Sequence, residues 1–126
     1  MIVIDSCVWI EALLGTPTGK RYLRLWDKPD EIVVPTCVQY EIKRWCERFL
    51  DEDFAAQTIS ATRQCTIVTL TEKVALLAAE LGRDHRLAAL DAMVYATAIE
   101  HNATLVSCDA HFEGLTHVRY ERKLTN

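Results

Sequence analysis

The chain has 126 residues, half of them apolar and a quarter charged, and its 14 basic and 18 acidic side chains leave a net charge of −4. That length predicts a single domain over residues 1–126. The composition excludes a disordered tail and a coiled-coil rod, and the acidity excludes a protein that coats nucleic acid by bulk charge.

Ile2-Val-Ile4 is a short apolar run ending at Asp5, the pattern of a buried strand with a polar residue at its carboxyl end. Cys7 to Leu14 reads as a helix, Gly15 to Gly19 as a turn, and the stripe Tyr22, Leu23, Leu25, Trp26 as a second helix closed by Pro29. Glu31 to Pro35 is a second strand. Thr36 and Gln39 then have capping-box spacing at the start of a helix running to Leu50. Asp53 to Arg63 predicts another helix and Thr66 to Leu70 a third strand. Leu76 to Leu81 predicts a helix stopped by Gly82, and Leu90 to Glu100 one stopped around Asn102. Thr104 to Cys108 is a fourth strand, and His117 to Tyr120 a short fifth. Strands separated by helices imply right-handed crossovers: an α/β fold of three layers, with a mainly parallel sheet of four or five strands between helices.

No apolar run reaches the ~18 residues of a membrane span, and Met1 to Asp5 lacks the basic start of a signal peptide, so a cytoplasmic location is expected. Five cysteines without a Cys-x-x-Cys pair, and four scattered histidines, give neither a disulfide framework nor zinc-ligand spacing. Tyr22, Trp26, Trp45 and Phe49 are expected chiefly in the core.

Functional groups of a parallel sheet gather beyond the carboxyl ends of its strands, where Asp5 and Asp109 both belong. Glu41 and Asp91 stand out differently, as acids among apolar neighbours on helices. Each has a plainer explanation: Asp5 and Asp91 as helix N-caps, Glu41 as half of a partly buried ion pair. If the four converge, like charges at ~4 Å cost about 4 kcal/mol per pair at an effective dielectric of ~20, so a cation belongs between them. All-oxygen ligation favours Mg²⁺ or Mn²⁺. Setting these four aside leaves 14 acids against 14 bases, so the rest of the chain is neutral and local contact with nucleic acid is open to it.

These residues resemble the PIN-domain nucleases, and among them the VapC-type toxins of toxin–antitoxin pairs. Ile2 to Trp9 is similar to the family's opening hydrophobic-Asp-Ser/Thr motif, Leu90 to Ala98 to its Asp-Ala-x-x-x-Ala-x-Ala helix, and Ala103 to Phe112 to its closing strand motif. Glu41 follows the second strand as in the family. The resemblance implies a metal-dependent endoribonuclease, with Asp5, Asp91 and Asp109 as ligands of Mg²⁺ or Mn²⁺ and Glu41 either a ligand or the group that orients the attacking water. It implies Ser6 and Ser107 as hydrogen-bonding supports of the acids, an RNA substrate, an antitoxin partner and a homodimer. His111 departs from the pattern, standing where many relatives carry a further Asp. It is a candidate RNA contact, as are Arg83 and Arg86, expected in a loop before Asp91. The alternative is a nonhydrolytic relative that only binds RNA or a partner. A phospho-acceptor receiver domain fits poorly: Thr71 follows Leu70 where an acceptor Asp should end the middle strand, and no Lys follows the Leu105 strand before Lys123.

Overall fold

A computed structural model describes residues 1–124. Five strands form one parallel sheet: β1 (Ile2–Ile4), β2 (Ile32–Pro35), β3 (Thr66–Val68), β4 (Thr104–Ser107) and β5 (Val118–Tyr120), in spatial order β3-β2-β1-β4-β5. The helices are α1 (Ser6–Leu14), α2 (Pro17–Lys20), α3 (Thr36–Phe49), α4 (Glu52–Thr62), α5 (Glu72–His85) and α6 (Ala89–Glu100). The chain moves outward from β1 through β2 to β3, then crosses back to lay β4 on the other side of β1. The reversal opens a crevice beyond the carboxyl ends of β1 and β4, the place where parallel sheets hold their ligands. β1 and not β3 is therefore the central strand, so the middle strand does end in an Asp.

The central strands are apolar on both faces. Val3, Ile4, Val33, Val34, Leu105 and Val106 are buried, covered by Val38 and Ile42 of α3 and by Val94, Tyr95 and Ala98 of α6. Tyr95 donates its hydroxyl hydrogen to the Thr116 carbonyl at 2.8 Å, which satisfies the polar end of a buried ring.

Four local expectations are corrected. The Gly15–Gly19 turn contains α2, because the Thr16 hydroxyl accepts from the Gly19 amide at 3.0 Å and Pro17 occupies the first helical turn. Gly19 packs so closely on α1 that a Cβ there would collide with the Glu11 carbonyl. The segment after it is a 3₁₀ turn, Leu23–Asp27, between buried Tyr22 and Pro29. Thr36 and Gln39 form no capping box: Pro35 is the N-cap, and the Gln39 side-chain amide donates instead to the Thr62 hydroxyl at 3.0 Å, tying α3 to α4. Gly82 does not stop α5, which begins after its N-cap Thr71 and runs to His85. A Cβ at Gly82 would meet Ala92 Cβ at 3.4 Å, an ordinary van der Waals contact, which places the residue on the face of α5 that packs against α6. Asn102 does adopt the left-handed conformation that ends α6. No helix among the described residues is long and apolar enough to cross a membrane.

Candidate functional site

Four separate elements deliver the acids to the crevice. Asp5 leaves β1 and caps α1, accepting from the Ser6 amide at 2.9 Å. Its other oxygen accepts from the Ser107 hydroxyl at 2.7 Å and from the Cys7 thiol at 3.5 Å, so both oxygens are engaged in a group only 2% exposed. The Ser107 hydroxyl in turn accepts from the Asp109 amide at 3.0 Å, coupling the carboxyl end of β4 to that of β1. Ser107 thus supports the site through its side chain. Ser6 reaches Asp5 through its backbone amide. Contact with Cys108, burial and the charge on Asp5 hold Cys7 as a thiol.

Asp109 also accepts from the His111 amide at 2.9 Å, and the imidazole Nδ1 stands 2.8 Å from the same oxygen. Asp91 enters from the first turn of α6, where the helix dipole favours a negative charge, but the N-cap is Ala88 and the capping explanation for Asp91 fails. Asp91, Asp109 and His111 each offer a ligand atom within 4.8 Å of the others. His111 is the residue whose position the sequence undervalued: the family's pattern asks for an acid there, and only the turn after β4 shows the imidazole folding back onto Asp109.

Glu41 projects from α3, roughly one turn beyond its start. Burial pushes its carboxyl up to about 7, with the charges on Asp5 and Asp91 adding to the rise, and its buried Oε1 has no hydrogen-bond partner among the described residues. The ion-pair explanation for Glu41 therefore fails too. Burial likewise raises Asp91 to about 6, assisted by Asp5 and Asp109, and raises Asp5. Among the described residues none of Asp5, Glu41 or Asp91 is paired with a Lys or Arg. Carboxylates that raise one another's pKa, with an orphaned buried oxygen beside them, suit a hard cation, and the donor set of oxygens plus one imidazole accommodates Mg²⁺ or Mn²⁺.

Of the two arginines expected in the loop before Asp91, Arg86 lies in the connection between α5 and α6, whereas Arg83 belongs to the helix. Arg83 is in the last turn of α5, exposed and paired with Asp84 at 2.9 Å, and Arg86 is the exposed left-handed residue that closes the helix.

Fold and crevice together define an α/β protein with an acidic site at the topological switch point. The PIN domain model matches residues 2–117, and the chain belongs to the PIN domain family. Among solved structures it is similar to a toxin–antitoxin complex from Klebsiella pneumoniae, at 21% identity and a TM-score of 0.80, covering 94% of this chain and 96% of that one. It is similar to the DNA-bound VapBC of Salmonella typhimurium, at 17% identity and a TM-score of 0.76 over 96% of each chain. The Mycobacterium tuberculosis toxin VapC20, which cleaves the sarcin–ricin loop, matches at 18% identity and 0.69, over 82% of this chain and 85% of that one. No curated protein matches the sequence.

Proposed function

We propose that the chain, acting as one domain in the cytoplasm, is an endoribonuclease dependent on Mg²⁺ or Mn²⁺ and the toxin of a toxin–antitoxin pair. The observation that carries this reading is the meeting of Asp5, Glu41, Asp91 and Asp109 from four elements, without a basic partner for the first three. VapC20, a fold neighbour, is a toxin that cleaves the sarcin–ricin loop, and other neighbours are toxin–antitoxin complexes, which supports RNA as substrate and a protein inhibitor as partner. A homodimer is the assembly we expect.

Asp91, Asp109 and His111 would hold the ion, with Asp5 completing its surroundings and Ser107 fixing the two sheet-borne acids. The ion, when bound, supplies Lewis acidity toward phosphoryl oxygens and charge to offset the acids. Glu41 Oε1, buried and unpartnered, would orient a water and take its proton as the water oxygen attacks phosphorus. The bond from phosphorus to the 3′-oxygen would break as that oxygen takes a proton from solvent, leaving a 3′-hydroxyl and a 5′-phosphate. Purified protein should cleave RNA with Mn²⁺ and stop on addition of EDTA. RNA bound but uncut in every divalent ion would favour the nonhydrolytic alternative.

A further inference from the structure

A groove of about 310 Å³ begins at Glu41 and follows α3 toward its end, with Leu90 of α6 on its far side. Helical spacing builds its floor in two rows, Tyr40, Arg44 and Arg48 in one and Glu41, Trp45 and Phe49 in the other. Eight residues at 1.5 Å each carry it ~12 Å away from the acids.

The chemistry along it alternates cation and ring. Arg44 donates from Nη1 to the Tyr40 hydroxyl at 3.1 Å, and its guanidinium lies 5.8 Å from the ring centre. The Arg48 guanidinium lies 5.1 Å from the Phe49 ring, which packs on Trp45 with centroids 5.2 Å apart. Tyr40 is 51% exposed and Phe49 57%, so Phe49, expected in the core, leaves it. Among the described residues neither Arg44 nor Arg48 has an acidic partner, whereas Lys43 on the same helix is held by Glu47 at 2.6 Å.

We propose that this groove is the track along which unpaired RNA enters the acid site, with bases stacking on Tyr40 and Phe49 and phosphates resting on Arg44 and Arg48. Free cations beside exposed rings match a polyanion with π faces, and a protein helix with an apolar stripe would meet two uncompensated charges here. The strand must be unpaired, because bases inside an A-form duplex have no free face to offer. Continuity with Glu41 delivers the backbone to the acids. The inference rests on the ribonuclease reading and adds the form of RNA and the residues that hold it.

The test separates binding from cleavage. Fluorescence anisotropy with a labelled single-stranded RNA of mixed sequence is read on Asp5→Asn protein, and on wild-type protein in EDTA in case that variant folds differently. Tyr40→Ala and Phe49→Ala should each raise Kd about tenfold. Arg44→Gln and Arg48→Gln should each weaken binding and reduce the salt slope by about 0.7. In cleavage-competent protein the loss should fall on KM more than on kcat. The same RNA annealed to its complement should bind weakly. Unchanged Kd in all four variants, with wild-type cleavage intact, overturns the track and leaves the nuclease reading standing. Equal affinity for the duplex overturns it as well, as does loss of dimers on sedimentation with RNA affinity unchanged, which would make the groove an interface between copies. If no divalent ion supports cleavage the nuclease reading fails, and the anisotropy data still decide the track.

Discussion

The two sides of the crevice are built in opposite ways. On the sheet side, Asp5, Ser107 and Asp109 are linked through bonds of 2.7 to 3.0 Å, and Asp5 is sealed from solvent. On the helix side, Glu41 has an orphaned buried oxygen, and burial pushes both Glu41 and Asp91 toward their neutral forms. Folding completes the sheet side. The helix side keeps an unpartnered buried oxygen, which the proposed cation would offset, so removing a group should carry a different penalty on each side.

The largest effect is expected from Asp5→Asn, which should lower RNA cleavage by at least ~10²-fold while thermal unfolding remains cooperative. Full activity in that variant would show that the sheet side is scaffold alone. Ser107→Ala should cost about 1–3 kcal/mol in denaturant unfolding, because it strips partners from Asp5 and from the Asp109 amide together, and should lower cleavage by ~10- to 100-fold. Loss of stability without loss of rate would uncouple the two sides. Mn²⁺ at ~100 times its Kd should stabilise wild-type protein by about 2.7 kcal/mol, and neutralising Asp91 and Asp109 together should abolish that gain in thermal melts.

A smaller effect follows from pH. Glu41 at about 7 and Asp91 at about 6 hold protons in the folded chain that the unfolded chain releases near ~4, so the folded state binds more protons between those values. Metal-free stability should therefore fall as pH rises from ~4 to ~7 and level off above, and Glu41→Gln with Asp91→Asn should flatten the decline in EDTA. The smallest effect concerns ion preference: His111→Asp should move the cleavage rate ratio toward Mg²⁺ over Mn²⁺, since an oxygen replaces an imidazole. An unchanged ratio would take His111 out of the ligand set.

Much of this contrast was legible in the sequence, but unevenly. Asp5 and Asp109 could be placed together because a buried apolar run fixes where a strand ends, and sheet topology brings those ends to one edge. Glu41 and Asp91 were legible as acids in apolar company. What pairwise spacing does not encode is the partner each polar group finds. Thr36 and Gln39 matched a local capping pattern, yet Gln39 bonds across to Thr62 on the next helix. Glycine is costly inside a helix and Gly82 reads as a stop, yet α5 continues to His85, packed along α6. His111 belonged to a turn whose course depends on the Asp109 side chain, a contact invisible to periodicity.

The tight seat of Gly19 against α1 has a consequence far along the chain. α2 and its cap also fasten residues 122 and 124: the Thr18 hydroxyl accepts from the Leu124 amide at 2.8 Å, and Arg21 donates to the Arg122 carbonyl at 2.6 Å. Arg122 and Leu124 are therefore clamped to α1 through a helix of one turn, and a single methyl wedge at position 19 would pry at the whole stack. Gly19→Ala should cost about 1–3 kcal/mol, and faster amide hydrogen exchange at Leu124 should report the damage more than a hundred residues downstream of the change.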